Sequence, residues 1–328
     1  MCRTGHTSRN EETMQAIGLT QYGDPGTLHP VQLPDPHAGP GEVRIRVRAA
    51  AVNPVDAIIR SGGFAGKDGE ITDPIVPGMD VAGTIDEIGP DQPDGFALSL
   101  GDPVIGFVVP EGSHGGYSEL IVLPAESVTG MPPNIGYTEG ASFLSNALTA
   151  EITLEELALE PGSTLAVTGA TGAVGGYLVE LAARRGLSVI ADAPLKDQAL
   201  VRSFGAAVIL DRDADFVTGV LAATDGRGAD ALADAAILTN AVLGAVRDGG
   251  QIAFYLPTSV TPGRDIRVFS SYVMRSNRRH DAIQRLARAV ERNELTTRIA
   301  ATYPAAHAAS AHKRLEQGGL RGRLILEF

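Results

Sequence analysis

Cysteine is almost absent from this chain, and the single Cys2 excludes both an intrachain disulfide and a zinc site built on several thiolates. Tryptophan is missing altogether, so a flat ligand has to be held by backbone, aliphatic groups and a few Tyr or Phe rings. Basic residues are scarce as well, because 27 Lys and Arg face 39 Asp and Glu and leave a formal net charge of −12. Such an acidic chain is a poor electrostatic match for nucleic acid or an anionic membrane, and neither is expected as a partner.

No apolar run reaches 18 residues, so a membrane-spanning helix is not predicted. Residues 1–13 are polar and lack the apolar stretch of a secretory signal, which predicts a disordered extension and a fold that begins at Met14. Together with the lone cysteine, these features predict a cytoplasmic protein. The 328 residues, of which 44% are hydrophobic and 20% charged, suit two globular domains.

The order of the predicted elements indicates two different architectures. Residues 14–137 are punctuated by turn signals such as Gly101-Asp102-Pro103, and residues 42–49 alternate apolar and charged side chains, as a half-buried strand does. Short strands between such turns predict a compact, barrel-like antiparallel domain. From Thr138, a helix to about Leu159 and then alternating strands and helices predict a doubly wound parallel sheet.

A glycine-rich turn follows the apolar strand 163–168 and opens a helix. It reads Gly169-Ala170-Thr171-Gly172-Ala173-Val174-Gly175, with the spacing G-x-x-G-x-x-G. A helix N-terminus offers free N–H groups and positive potential to a pyrophosphate, and glycines let the backbone approach it closely. Because strand, turn, helix and strand follow one another, these seven residues are predicted to bind a dinucleotide, with a purely structural turn as the alternative.

The choice between NAD and NADP depends on the residues after the second strand. Asp192 lies 20 residues after Gly172, where an acid would hold the adenosine ribose of NAD. Counted along the helix from Gly175, that position falls on Ala193 instead, and a slip of one residue turns a side chain to the other face of the strand. Lys196 and Arg202 are either exposed helix charges or partners for the 2′-phosphate of NADP. We predict NADP(H) in preference to NAD(H).

Further ordered motifs run from Met14 to Phe328. They are Asn53-Pro54-Val55-Asp56, Pro77-Gly78-Met79-Asp80, Gly115-Gly116-Tyr117-Ser118-Glu119 and Gly322-Arg323-Leu324-Ile325-Leu326. With the glycine turn, they resemble the medium-chain dehydrogenase/reductase superfamily, specifically its zinc-free quinone oxidoreductase-like branch. The resemblance implies a GroES-like β-barrel domain over 14–137 and 274–328, and an inserted Rossmann cofactor domain over 138–273. It also implies a small-molecule substrate in the cleft between them, and a homodimer.

The resemblance also locates the positions at which zinc relatives hold their catalytic metal. Asn53 replaces the first ligand cysteine, Gly78-Met79-Asp80 replaces Gly-His-Glu, and Ser145 stands at the third position. Catalytic zinc needs three protein ligands, typically His, Cys or carboxylate. No zinc site is therefore predicted.

The same resemblance assigns residues to the cleft. It places Asn53 beside nicotinamide and substrate, where its amide either donates to an enolate oxygen or makes only a structural hydrogen bond. Thr149 matches a nicotinamide-side threonine, with a buried helix hydroxyl as the alternative. Further cofactor contacts are implied for Tyr255, Leu256, Met274 and Arg323.

One position departs from the pattern. Many quinone reductases carry a tyrosine where this chain has Ile58, which puts a simple quinone substrate in doubt. Tyr117 is the tentative substitute proton donor, with a scaffold role in its Gly-Gly-Tyr motif as the alternative. Asp56 is expected to cap the following helical turn or to join a proton relay.

Hydride transfer without a metal requires an acceptor that is already electron-poor, such as a quinone or an α,β-unsaturated carbonyl. The predicted function is therefore an NAD(P)H-dependent reductase of such acceptors. Two alternatives stay open: an enoyl or enone reductase of a specialised biosynthetic pathway, and a non-catalytic NADPH-binding protein.

Overall fold

The computed structural model describes residues 12–65, 70–256 and 258–328. Residues 1–11 of the predicted disordered extension lie outside this part, whereas Thr13 already belongs to the first strand. No helix within the described ranges is long and apolar enough to cross a membrane.

The first part of the chain is dominated by strands. Its elements are β1 (Thr13–Gly18), β2 (His29–Pro34), β3 (Glu42–Val52), α1 (Pro54–Arg60), β4 (Asp80–Ile88), β5 (Pro103–Phe107), β6 (Leu120–Pro124) and β7 (Val128–Gly130). Strand β3 illustrates why these segments form strands, since its side chains alternate between the two faces of the sheet. Val43, Ile45 and Val47 are buried on one face, while Arg44 and Arg46 bind Asp86 on the other.

The middle of the chain alternates helices and strands. Its elements are α2 (Tyr137–Gly140), α3 (Leu144–Leu157), β8 (Thr164–Thr168), α4 (Ala173–Arg184), β9 (Ser188–Ala193), α5 (Gln198–Ser203), β10 (Val208–Asp211), α6 (Phe216–Ala223), β11 (Ala229–Asp234), β12 (Val246–Phe254) and β13 (Arg267–Ser270). Strands β8 to β13 form a parallel sheet in the order β10-β9-β8-β11-β12-β13. This is the strand order of a Rossmann fold, and the predicted doubly wound sheet is confirmed.

The last part of the chain returns to the first sheet. Its elements are α7 (His280–Glu291), β14 (Ile299–Pro304), α8 (Ala308–Glu316) and β15 (Arg323–Glu327). Strand β15 pairs antiparallel with β3, with Ile325 opposite Ala51, and extends a seven-stranded sheet of β3 to β7, β14 and β15. The N-terminal and C-terminal parts of the chain therefore build one sheet.

The predicted continuous helix from Thr138 to about Leu159 is wrong, because residues 141–143 form a turn between α2 and α3. The hydroxyl of Ser142 donates to the carbonyl of Glu139 at 2.8 Å in this turn. The carboxylate of Asp80 then accepts the backbone N–H of Ser145 and caps the new helix start. A side chain 65 residues away in the sequence thus decides where α3 begins.

Candidate functional site

The glycine turn lies between the end of β8 and the start of α4. Gly169 has φ +68°, a left-handed conformation that favours glycine. A Cβ on Gly175 would lie 2.2 Å from the carbonyl oxygen of Gly169, so a larger residue there would push α4 away from the turn. Gly172 is the N-cap of α4, and the first N–H groups of the helix lack intrahelical partners. The turn therefore has the close approach and free amides that fit a pyrophosphate.

Arg298 reaches this turn from the segment before β14. Its Nη2 donates to the carbonyl of Gly172 at 3.2 Å, and its guanidinium lies 4.6 Å from the ring centroid of Phe204. A Cβ on Gly176 would lie 2.2 Å from the same Nη2. Gly176 thus leaves the space that the arginine fills against α4.

Asp192 and Arg212 form an ion pair beside the turn. Asp192 Oδ1 accepts the N–H of Ala170 at 3.3 Å, and Oδ2 accepts Nε of Arg212 at 2.7 Å. Arg212 follows β10, and its Nη2 lies 3.4 Å from the hydroxyl of Thr171. Between Asp192 and Ala193, it is therefore Asp192 that faces the turn.

Two further cations accompany this pair. Arg321 binds the carboxylate of Asp197 through Nε at 2.8 Å and Nη2 at 2.5 Å. This hydrogen bonding lowers the pKa of Asp197, and the charges of Lys196 and Arg212 lower it further. Lys196 itself is exposed. We call Lys196, Arg212 and Arg321 the basic cluster.

Asn53 and Ser145, at two of the positions where zinc relatives hold their metal, are joined by hydrogen bonds through Asp80, whereas Met79 stands at the histidine position. Asp80 Oδ2 accepts Nδ2 of Asn53 at 2.9 Å and the hydroxyl of Ser145 at 2.5 Å. Asn146 Nδ2 donates to Oδ1 of Asn53 at 3.2 Å, and its own Oδ1 accepts Nη2 of Arg323. All five side chains are buried. We call this group the polar cluster.

The polar cluster combines one carboxylate with amides, a hydroxyl and a guanidinium. Burial raises the pKa of Asp80, against hydrogen bonds from Ser145 and Asn53 that lower it, and burial lowers the pKa of Arg323. One carboxylate does not match the three-ligand requirement of catalytic zinc. Across the residues that the structure describes, no three His, Cys, Asp or Glu side chains are grouped to hold a metal ion.

The other residues predicted for the cleft lie in differing surroundings. The buried Thr149 donates its hydroxyl to the carbonyl of Ser145 at 2.7 Å, as a helix hydroxyl does. Tyr255 and Leu256 follow β12, with Tyr255 half-buried and Leu256 exposed. Met274 belongs to a 3-10 turn after β13 and lines a cavity.

Tyr117 is not an accessible proton donor, and this prediction is corrected. Its side chain is fully buried, and its hydroxyl lies 3.1 Å from both Asp56 Oδ2 and His312 Nε2. The phenol therefore has no surface to offer a substrate. Asp56 accepts the N–H of Asn53 at 2.7 Å and closes a capping box at the start of α1.

A cavity of about 310 Å³ lies beside α1 and the loop after β5. The side chain of Ile58 packs on Gly63, where an added Cβ would lie 2.4 Å from Cγ2 of Ile58. The next residue, Ile59, is the one that lines the cavity. Because Asp80 pairs with Phe107 across β4 and β5, the loop after β5 leaves the sheet at the polar cluster. The lining residues are Tyr22, Ile59, Phe64, Ala65, Ile75, Val76, Pro110, Glu111, Gly112 and Met274.

Sequence reasoning missed Arg212, Arg321, Asn146 and Tyr22. Arg212 had a usable signal, because it follows β10 and the carboxyl ends of neighbouring parallel strands meet at one edge of the sheet. Asn146 directly follows Ser145, and its only signal was that it neighbours the residue at the third zinc-ligand position. Nothing in the local sequence around Arg321 or Tyr22 indicates the partner or the cavity that each one meets.

Comparisons with known proteins agree with this architecture. Residues 39–133 match the family model of the alcohol dehydrogenase GroES-like domain, and residues 204–326 match that of the zinc-binding dehydrogenases. The chain is 31% identical over 245 residues to dehydrogenase orsE of Emericella nidulans, covering 66% of this chain and 68% of that protein. It is 34% identical over 212 residues, 63% of this chain, to 5% of the pikromycin polyketide synthase component PikAII of Streptomyces venezuelae.

Another curated relative is the human synaptic vesicle membrane protein VAT-1 homolog-like, 29% identical over 218 residues. That match covers 66% of this chain and about half, 49%, of the relative. Among solved structures, a mycobacterial quinone oxidoreductase is 28% identical with a TM-score of 0.78, covering 96% of this chain and 100% of that one. A mycobacterial protein complexed with NADPH is 26% identical with a TM-score of 0.83 and the same coverage.

The predicted GroES-like and Rossmann fold class is thus confirmed by family models, strand order and structural neighbours. The chain belongs to the medium-chain dehydrogenase/reductase superfamily, a dinucleotide-binding family of oxidoreductases.

Proposed function

We propose that the protein is an NADPH-dependent reductase that transfers hydride, without a metal, to a quinone or an α,β-unsaturated carbonyl. The observation that carries the proposal is the chemistry of Asn53, Met79 and Ser145, which stand at the three positions where zinc relatives hold their metal and include no His, Cys or carboxylate. The polar cluster joins Asn53 and Ser145 through Asp80 instead. The domain boundaries at 137/138 and 273/274 belong to the same proposal.

The basic cluster supports NADPH over NADH. Asp192 would compete with a 2′-phosphate if its charge were free, but Arg212 neutralises it at 2.7 Å. Arg321 likewise neutralises Asp197, so Lys196 adds one net positive charge to these two ion pairs near the carboxyl end of β9. The solved relative with bound NADPH is consistent with this preference.

The polar cluster would stabilise the negative charge that develops on the acceptor oxygen. Bound NADPH would supply the hydride. Nδ2 of Asn53 uses one N–H on Asp80, and the described residues supply no acceptor for its second N–H. Arg323 adds positive potential through Asn146. Preorganised donors of this kind are worth several kcal/mol in a water-excluded site, about 2.7–4 kcal/mol for one oxyanion donor.

The cavity beside α1 supports a neutral, apolar acceptor. Among its described lining residues, most are aliphatic or aromatic, Glu111 is the one carboxylate, and none is Lys or Arg. Tyr22 and Phe64 offer the aromatic contacts that Ile58 cannot provide. A planar quinone or an enone fits these surroundings better than an anionic acceptor does.

An enoyl or enone reductase of a biosynthetic pathway is the second candidate. The aliphatic Ile58 favours it, and so does the similarity to part of a polyketide synthase component. A panel of quinones, enones and enoyl thioesters, assayed by loss of NADPH absorbance, separates the candidates. Turnover of enoyl thioesters alone would favour the second candidate, and NADPH binding without any turnover would leave a non-catalytic protein.

A homodimer is proposed through β13. This strand lies at one end of the six-stranded sheet, with β12 as its paired neighbour among the described strands, and Val268 is exposed. A free strand edge presents unpaired N–H and C=O groups that a second copy can pair with. Light scattering should give twice the chain mass, and Val268→Pro should shift it to the monomer, since proline removes a donor.

A further inference from the structure

A buried set of side chains lies behind the polar cluster and does not belong to it. Asp56, Tyr117 and His312 come from α1, the loop before β6 and α8, and all three are fully buried. Tyr117 and His312 meet edge to face, with ring centroids 5.9 Å apart. Buried polar groups at such a depth are costly unless every one of them is satisfied.

Asp56 joins the two loops that carry the polar cluster. Its Oδ2 accepts the N–H of Asn53 at 2.7 Å, and its Oδ1 accepts the N–H of Gly78 at 2.9 Å. The side chains of Asn53 and of Asp80, which lies two residues after Gly78, are hydrogen-bonded to each other at 2.9 Å. One carboxyl group therefore sets the separation of two backbone segments on which the pairing of Asn53 with Asp80 depends.

Tyr117 holds Asp56 from behind and also contacts the second loop. Its hydroxyl is 3.1 Å from Asp56 Oδ2, while its ring packs on Gly78, where a Cβ would lie 2.6 Å from ring atom Cδ1. Gly78 has φ +111°, a conformation that side chains rarely adopt. Tyr117 therefore fits only against a glycine at this position.

His312 closes the set from α8. Its Nε2 lies 3.1 Å from the Tyr117 hydroxyl, which places the three groups in the order Asp56, Tyr117, His312. We propose that these three residues form a hydrogen-bond chain that positions Asn53 for hydride transfer, so that Tyr117 and His312 are positioning residues rather than catalytic ones. The role in hydride transfer rests on the proposed function, whereas the hydrogen-bond chain itself rests on the distances between these residues.

The direction of the chain depends on the protonation of Asp56 and on the tautomer of His312. With Asp56 ionised, His312 Nε2–H donates to Tyr117, which donates to Asp56. With Asp56 protonated, Asp56 donates to Tyr117, which donates to Nε2, so the ring proton of His312 has to stand on Nδ1, a buried atom with no hydrogen-bond partner among the described residues. Burial raises the pKa of Asp56 to about 7, and burial together with the charge of Arg60 lowers the pKa of His312 to about 3.

Other charges face this chain as well. Asp80 raises the pKa of Asp56, and the charge of Arg323 acts on Tyr117 in the opposite sense to Asp56. Arg60, buried on α1, binds Glu316 of α8.

The test compares two buried phenols. Tyr117→Phe removes the hydroxyl of the chain, and Tyr177→Phe removes an equally buried hydroxyl that donates to the carbonyl of Thr296 at 2.9 Å. Because misplacement by about 1 Å can cost up to roughly 10²-fold in rate, we expect Tyr117→Phe to lower kcat about tenfold. We expect Tyr177→Phe to stay within about twofold, and KM for NADPH to change in neither variant.

Hydrogen exchange supplies a readout that does not depend on turnover. The amides of Asn53 and Gly78 should exchange faster in Tyr117→Phe and keep wild-type protection in Tyr177→Phe. His312→Gln, which retains a donor and an acceptor near Tyr117, should restore most of the kcat that His312→Leu loses. The inflection of the pH profile of kcat should move to higher pH in Tyr117→Phe, because the Tyr117 hydroxyl lowers the pKa of Asp56.

The outcomes separate the two proposals. Absence of acceptor-dependent NADPH oxidation in the wild-type protein would overturn the proposed function, while faster exchange at Asn53 in Tyr117→Phe would still support the chain. Equal exchange and equal kcat in Tyr117→Phe and Tyr177→Phe would overturn the chain and leave the function intact.

Discussion

Ser145 binds both carboxylate oxygens of Asp80, with its backbone N–H on Oδ1 at 2.6 Å and its hydroxyl on Oδ2 at 2.5 Å. Asp80 is thereby the cap of α3 and the partner of Asn53 at the same time. A helix N-terminus favours a negative charge, which offsets part of the cost of burying this carboxylate. The start of α3 and the polar cluster are therefore one structural unit.

Ser145→Ala should destabilise the protein, because it removes a hydrogen bond to a buried charged group. Such bonds contribute about 1.5–3 kcal/mol, and we expect a loss of about 2 kcal/mol in the free energy of unfolding. Denaturant titration measures it. Ser203→Ala is the control, since that exposed hydroxyl donates to the carbonyl of Leu200 and should change stability by less than about 0.5 kcal/mol. Equal stability of the two variants would contradict the assignment.

Metal removal should leave the reductase activity unchanged. The polar cluster has one carboxylate where catalytic zinc requires three ligands. We expect wild-type activity after dialysis against a strong chelator, and far less than one zinc per chain by elemental analysis. Activity that is lost with the chelator and restored by zinc would sink the metal-free proposal.

Arg212→Ala should weaken NADPH binding and spare NADH. Loss of the charge next to a 2′-phosphate typically costs a charge-assisted bond of about 1.5–3 kcal/mol, so KM for NADPH should rise about tenfold or more. Arg247→Ala is the matched control, because Arg247 Nε donates to Asp230 Oδ1 at the same 2.7 Å. A parallel rise in KM for both cofactors, or for both variants, would argue against a phosphate contact.

Gly175→Ala should abolish dinucleotide binding. The new Cβ would stand 2.2 Å from the carbonyl oxygen of Gly169, and the start of α4 would have to move. Gly130→Ala serves as control, because its Cβ would meet only Leu98 at 4.0 Å. Calorimetry with NADPH should show no heat for the first variant and wild-type affinity for the second. Normal binding by Gly175→Ala would remove the turn from the cofactor site.

Asp56→Asn should flatten the pH dependence of stability. Burial raises the pKa of Asp56 from 3.8 to about 7, so the native carboxyl keeps its proton where the unfolded chain has lost it. This contribution to stability is complete below about pH 4 and is lost as pH rises to about 7. Unfolding at about pH 5 and pH 8 should show a larger fall for the wild type than for Asp56→Asn. Equal falls would refute the shift.

The sequence predicted the features that depend on local pattern. The glycine turn follows from the spacing of its glycines between a strand and a helix, and the Rossmann alternation follows from the apolar pattern of its strands and helices. Helix α7 spans His280–Glu291, and Ile283, Leu286 and Val290 recur on its buried face at helical spacing. The predicted strand 163–168 spans Thr164–Thr168, and of the two positions left open after the second strand it is Asp192 that lies beside the turn.

What the sequence could not predict depends on partners far along the chain. Tyr117 is the predicted substitute for the tyrosine that Ile58 replaces, but its hydroxyl is buried against Asp56 and against His312, 195 residues away. The break before Leu144 has the same origin, since Asp80 supplies the cap. Arg321 meets Asp197 only because the C-terminal segment returns past α5. Short-range periodicity carries no information on such contacts.

Arg298 in the space left by Gly176 has a consequence for transplanting domains between relatives. Helix α4 and the segment before β14 pack together because Gly176 has no side chain and the long side chain of Arg298 fills the space. A chimaera that brings in a nucleotide-binding domain with any larger residue at position 176 would lose this fit, and one that keeps glycine but lacks the arginine would contain a void. Both positions must be exchanged as a pair for the two lobes to close on one another.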